Sequence, residues 1–317
     1  MNTKSTGVTQ SAVSGILNLD KPASMTSHDV VLRVRRLTGQ RRVGHAGTLD
    51  PMATGVLLLC LGQATRVAEY LVAGKKQYRA VVRLGISTDT YDAEGAVTQS
   101  VASFHLSEDH IADALLVFQG VIQQVPPSYS AIRHNGQRLY ELARRGLPVQ
   151  VPPRTVEIDR IELVAWESPY LTLDVTCSPG TYIRSLAHDL GQRLGLGAHL
   201  VALTRLASGN WRLQDASTLD DLQGALEAGS WAHLLHPLEA ALEDFERVDL
   251  SAELARCVCQ GQAVQLERAP QTSLVRAYAP DNCLLAVLQP SRKPDTWQPK
   301  KVFVNPEAFE ILYAGDR

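Results

Sequence analysis

The sequence predicts an α/β chain of the α+β kind, built on a mixed, largely antiparallel sheet and followed by a small β-rich unit. Three observations carry this expectation. Apolar and polar residues alternate in runs of strand length, most cleanly where Tyr78, Ala80, Val82 and Leu84 share one face and Gln77, Arg79, Val81 and Arg83 the other. Helical periodicity is confined to short stretches between such runs. The connections are not the regular helical crossovers that a parallel sheet requires.

The elements follow in order. Residues 1–14 are polar, lack the apolar stretch of a signal peptide and read as a disordered leader. Gly15 to Leu19 reads as a strand broken by Lys21-Pro22. Thr26 or Ser27 can cap a helix with apolar positions Val30, Val31, Val34 and Leu37, ended by Gly39. Arg33 and Arg36 lie off that stripe. The stretch from Arg41 to Gly55 holds three glycines, a histidine and an Asp-Pro pair, and reads as a loop of demanding backbone geometry. Val56 to Leu61 follows as a buried strand. Residues 107–120 suggest a helix, and residues 123–153 a loop-rich insertion bracketed by two Pro-Pro pairs. Leu171 to Cys177 alternates as a strand, and Pro179-Gly180 turns it into a helix from Thr181 to about Leu194. Residues 215–246 suggest helix. Residues 247–317 hold a short helix at 251–259 and strands near 274–279, 284–289 and 301–304.

With 317 residues, 45% hydrophobic and 20% charged, the chain can bury the cores of two domains. The longest apolar run is six residues, too short to span a bilayer, so no membrane role is expected. Five cysteines with no C-x-x-C pair argue against a disulfide framework or zinc and suit a reducing cytoplasm. His233 and His236 stand three apart with no further ligand nearby, so no metal is expected. Net charge is −2, but it is unevenly spread. Residues 15–85 hold eleven Lys/Arg against four Asp/Glu, and residues 213–317 nine against sixteen. That asymmetry is the pattern of a chain with one anion-binding face.

Five stretches carry chemistry in collinear order. They are Gly15-Ile16-Leu17-Asn18-Leu19-Asp20-Lys21-Pro22; Gly44-His45-Ala46-Gly47-Thr48-Leu49-Asp50-Pro51-Met52-Ala53-Thr54-Gly55; Lys76-Gln77-Tyr78-Arg79-Ala80 with Leu84-Gly85 and Thr88-Asp89-Thr90; Ser178-Pro179-Gly180-Thr181-Tyr182-Ile183-Arg184-Ser185-Leu186; and Gly197-Ala198-His199-Leu200-Val201-Ala202-Leu203. Alone, each has an ordinary reading. Asp50 before Pro51 could be a helix N-cap, Arg184 a surface arginine and Tyr78 a core tyrosine. Together, over residues 15–212, they resemble the motifs of the TruB family of tRNA pseudouridine synthases.

The resemblance implies the pseudouridine synthase fold over residues 15–246 and an isomerase that breaks the N1–C1′ bond of a uridine, turns the base and rejoins it through C5. It needs no cofactor. It assigns Asp50 as nucleophile, with Arg184 holding that carboxylate ionised by drawing its pKa down. Tyr78 stacks on the everted uracil, Tyr182 and Leu203 line the uridine pocket, and His45 lies near the extruded nucleotide. Lys21 is either structural or phosphate-facing. Arg133, His134, Arg138, Arg144 and Arg145 of the 123–153 insertion grip RNA. The implied partner is the T-arm stem-loop of tRNA, modified at uridine 55 by a cytoplasmic monomer without guide RNA. Residues 247–317 weakly resemble a PUA-type RNA-binding domain. A guide-RNA-dependent synthase and a non-catalytic tRNA chaperone are the alternatives.

Overall fold

The computed structural model describes residues 13–127 and 151–304, together with the backbone of residues 133–134 and 137–138. The first unit starts with β1 (Gly15–Lys21), α1 (Ser27–Thr38), β2 (Val43–Ala46), β3 (Thr54–Leu61), α2 (Ala68–Ala73) and β4 (Lys76–Leu84). A side hairpin of β5 (Ile86–Thr88) and β6 (Val97–Ser100) leads to α3 (Glu108–Leu116) and β7 (Gly120–Gln124). One short pair of strands, β8 (Arg133–His134) with β9 (Gln137–Arg138), precedes β10 (Arg154–Glu167) and β11 (Tyr170–Cys177). Then come α4 (Ile183–Arg193), β12 (Ala198–Ser208), β13 (Trp211–Arg212), α5 (Leu219–Glu227) and β14 (Leu235–His236).

The main sheet has ten strands. Its order is β14-β1-β3-β12-β4-β11-β10-β7, with β13 on β12 and β2 on β3. Every pairing in it is antiparallel except a two-residue parallel contact between β3 and β12, Thr54 to Thr204 and Gly55 to Arg205. One edge of β3 is therefore shared: its first residues pair with β12, and Leu58 to Leu61 pair with β2. The sheet forks there, and the loop from Gly47 to Ala53 lies in the fork.

The sequence explains which faces are covered. Leu57, Leu59 and Leu61 of β3 enter one core with Val30, Val31 and Val34 of α1 and Leu186 and Leu190 of α4. Val56, Leu58 and Cys60 enter a second core with Leu71, Tyr278, Leu284 and Val287. A strand covered on both sides has no polar face, hence the unbroken apolar run. Thr26 caps α1 with a full capping box to Asp29, and Gly39 ends it at φ 68°.

The second unit is a five-stranded sheet, β15 (Glu246–Asp249), β17 (Val275–Tyr278), β18 (Leu284–Pro290), β19 (Thr296–Val302) and β16 (Val264–Gln265) in spatial order, covered by α6 (Ala252–Cys259). It is fastened to the first unit. Arg66 Nη1 donates to the Val302 carbonyl, and Lys301 Nζ pairs with Glu69 at 2.7 Å.

Several expectations change. Residues 43–46 are a strand rather than loop, so His45 sits on β2 facing Leu59 across the pair. Asp50 caps no helix; the Ala53 amide donates to its carbonyl in a turn. Residues 215–246 form one helix of nine residues, two 3-10 turns and a short strand, because Thr218 starts a helix that Gly229 closes at φ 70°. Ser14 is part of the fold and accepts from the Gln63 amide. Residues 1–12, Arg144 and Arg145 lie outside the described residues. So do the side chains of Arg133, His134 and Arg138.

Candidate active site

The Gly47–Gly55 loop is tied at nearly every peptide. Arg205 reaches it from β12: its Nη2 donates to the Gly47 carbonyl at 3.2 Å, its Nη1 faces the Thr48 carbonyl at 3.5 Å, and its Nε donates to Val56 at 2.6 Å. Ser27 brackets Leu49, with Oγ accepting from its amide at 2.9 Å and donating to its carbonyl at 3.1 Å. The Pro51 carbonyl accepts from Lys21 Nζ at 3.1 Å and from the Ser24 amide at 2.9 Å. The Gly55 amide donates to Asp20 Oδ1 at 3.1 Å. Gly55 itself is required: at φ 96°, a Cβ there would stand 2.3 Å from the Arg205 carbonyl oxygen.

This scaffold presents Asp50 with a third of its side chain exposed, against Arg184. Arg184 Nε stands 2.9 Å from Asp50 Oδ2, and Nη2 donates to Oδ1 at 3.1 Å, a bidentate pair. The other side of the guanidinium meets Asp92 Oδ2 at 3.2 Å. Arg184 and Asp92 are both buried, so one cation lies between two carboxylates. Asp92 is held by the Thr90 hydroxyl at 2.6 Å and the Glu94 amide at 3.1 Å.

The electrostatics correct one expectation. Burial pushes the Asp50 carboxyl above the usual carboxylate range; Arg184 pulls it back, and the Asp92 charge pushes it further up. Desolvation thus outweighs the guanidinium, and Arg184 limits the rise rather than producing a net fall.

Tyr78 is buried on β4, opposite Arg205 of β12, and its hydroxyl shares a hydrogen bond with that arginine. Burial raises this phenol, and the Arg205 charge opposes the rise. Leu203, two residues before Arg205 and also buried, pairs with Ala80. His45 is half-buried; burial first, then Arg205, keep its imidazole below the ordinary value, and its Nδ1 has no hydrogen-bond partner among the described residues. Tyr182 occupies the N-cap of α4, and its peptide is read on both sides by the Gln124 carboxamide, at 2.7 Å to the amide and 3.0 Å to the carbonyl.

Of the two readings for Lys21, the structure takes the structural one. Its side chain is fully buried, and Nζ donates to the carbonyls of Pro22, Met25 and Pro51. Burial lowers this ammonium to about 8, opposed by the Asp50 charge. A lysine so engaged cannot face a phosphate without leaving the loop it supports.

Asp50 and Arg184 thus meet directly, Tyr78 and Lys21 are coupled by charge to both Asp50 and Arg205, and His45 is coupled to Arg205, while Leu203 stands two residues before Arg205 on β12 and Tyr182 two residues before Arg184 at the start of α4. Sequence reasoning missed Arg205, Asp92, Ser27 and Gln124. Only Asp92, two residues past the Thr88-Asp89-Thr90 motif, carried a usable signal.

Comparison with known proteins shows the family of the chain. Residues 35–183 match the TruB family pseudouridylate synthase N-terminal domain, and residues 184–243 the tRNA pseudouridylate synthase B C-terminal domain. The chain is 44% identical over 292 residues to tRNA pseudouridine synthase B of Dehalococcoides mccartyi strain BAV1, covering 92% of this chain and 97% of that protein. It is 44% identical over 294 residues to the protein of the same name from Synechocystis, covering 91% and 99%. Among solved structures, it resembles a chain of a Cbf5–Nop10–Gar1 complex at 28% identity and a TM-score of 0.72, covering 93% of this chain and 86% of that one. The chain belongs to the TruB family of pseudouridylate synthases.

Proposed function

We propose that this chain converts uridine 55 in the T-arm of tRNA to pseudouridine, without a guide RNA or cofactor, using Asp50 as nucleophile. The observation that carries the reading is the bidentate pair of Asp50 with Arg184, held by a loop fastened at nearly every peptide yet partly open to solvent. The Asp50 carboxylate attacks C1′ or the uracil ring, the N1–C1′ bond breaks, and the base turns. C5 then bonds to C1′, the bond to Asp50 breaks and returns the carboxylate, C5 loses its proton and N1 gains one, so atoms and charge balance. Tyr78 offers its ring to the everted uracil, offsetting part of the lost stacking. Tyr182 and Leu203 close the pocket, and His45 on β2 lies near the extruded nucleotide.

The insertion, with Arg133, His134, Arg138, Arg144 and Arg145, grips the stem-loop, and residues 247–317 add a PUA-like contact with the tRNA. The protein acts as a cytoplasmic monomer. The substrate follows from the shared name of its 44%-identical relatives, which align over nearly their whole length. A T-arm stem-loop transcript, incubated with protein alone and mapped for pseudouridine, tests this. Modification at position 55 alone is expected. Modification only after adding guide RNA would replace this reading with the guide-dependent one, and modification at another position by the protein alone would remove the assignment to uridine 55.

A further inference from the structure

Asp92 and Thr90 hold one side of Arg184 from a loop that carries an unusual residue. Tyr91, between them, has φ 65°, a left-handed conformation that a bulky L-residue rarely adopts. Nothing in the local sequence supplies the glycine that would relieve it. The conformation is held from three sides. The Thr88 hydroxyl donates to the Asp92 carbonyl at 2.7 Å, the Leu200 amide donates to the Tyr91 carbonyl at 2.9 Å, and the Tyr91 ring lies on His188. That stack has centroids 3.9 Å apart and planes 16° from parallel. His188 is on α4, four residues after Arg184 and so on the same helical face one turn along.

We propose that Tyr91 and His188 are positioning residues, a stacked clamp that fastens the Asp92-bearing loop to the helix carrying Arg184 and so fixes the guanidinium that meets Asp50. The inference rests on the role given to Asp50 and Arg184 above.

Two observations say that the histidine is used for its face rather than its nitrogens. Its Nδ1 is buried with no hydrogen-bond partner among the described residues, and burial holds the imidazole below its ordinary value. A phenyl ring could do the same work. The strain at Tyr91 points the same way: the loop keeps a tyrosine where glycine would sit more easily, and the stack is what the tyrosine adds. The Arg184 guanidinium is four bonds of side chain away from the backbone of α4, so a small shift of the Thr90 carbonyl and Asp92 carboxylate, at 3.4 and 3.2 Å from Nη1, re-aims the whole group.

The test uses the full chain and tRNA tritiated at uridine C5. Tyr91→Gly relieves the backbone and removes the ring; His188→Ala removes the other half; His188→Phe keeps a ring. The clamp predicts that Tyr91→Gly and His188→Ala each lower kcat by about tenfold or more with KM little changed. The double variant should be no worse than either single one, and His188→Phe should turn over close to the parent rate. Amide exchange read without RNA should show the 89–96 loop and Leu200 loosened in the first two variants and protected in His188→Phe. Equal impairment of His188→Phe and His188→Ala, additive losses, or a rise in KM at constant kcat would overturn the clamp. Turnover by Asp50→Asn would instead remove the catalytic reading, and exchange would still decide the clamp.

Discussion

Replacing Arg205 with methionine separates a scaffold role from bulk stability. The guanidinium is 1% exposed, and no carboxylate pairs with it among the described residues; backbone carbonyls and the Tyr78 hydroxyl take up its donors. Methionine fills much of the volume but orphans the carbonyls of Val56 and Gly47, bonded at 2.6 and 3.2 Å. Hydrogen bonds to a charged donor contribute about 1.5–3 kcal/mol each, so roughly 3–6 kcal/mol is lost. Part returns because a cation no longer has to be desolvated, leaving a net cost of about 2–4 kcal/mol. At roughly 2–4 °C per kcal/mol for a chain of this class, the melting temperature should drop by about 5–15 °C. The rate should fall more than the stability implies. The 47–49 peptides lose a fastening beside Asp50, and a misplacement of about 1 Å can cost about 100-fold. Differential scanning calorimetry and single-turnover tritium release, both run well below the transition, measure the two effects. A variant that melts lower but reacts at the parent rate would refute the claim that Arg205 holds the loop for chemistry. One that does neither would refute the hydrogen-bond reasoning altogether.

Four further outcomes follow. Because Asp50 must be ionised and burial raises its pKa, kcat should fall as pH drops, with a midpoint above the ordinary carboxylate range; a pH–rate profile flat down to pH about 4 would contradict this. The sign carries to folding: a raised folded pKa favours the fold at low pH and is lost as pH rises, so Asp50→Asn should melt no lower than the parent at neutral pH. Gly55→Ala should destabilise the chain by about 2 kcal/mol or more, since φ 96° and a 2.3 Å approach to the Arg205 carbonyl leave no room; an unchanged melting temperature would contradict it. Affinity for tRNA should weaken steeply with salt, with roughly 0.7–0.9 in log–log slope per phosphate neutralised; a slope shallower than about 1 would count against a basic RNA-binding face.

Much of this was readable beforehand, for identifiable reasons. β4 alternates without interruption, so Tyr78 was placed on the buried face directly. Asp50 and Arg184 lie 134 residues apart, and only the collinear motifs suggested that they meet. β10 was not anticipated because its bulges at 158–160 and 163–165 break the period of two. Arg205 and Lys76 are cations whose place the sequence does not reveal. Both are buried, Arg205 across a fork in the sheet and Lys76 on the carbonyls that end α2. No local pattern announces a cation whose partners are peptides from distant strands. The Asp50 pKa was misjudged for a related reason: a sequence names the guanidinium partner but not the desolvation, nor the second carboxylate that Asp92 contributes.

The central claim is that a single carboxylate, fixed by a guanidinium, performs the chemistry. Tritium release from C5-labelled tRNA by Asp50→Asn, with tRNA affinity measured in parallel, tests it most directly. The account predicts no release above background at undiminished affinity. Release at a rate comparable to the parent's would contradict it.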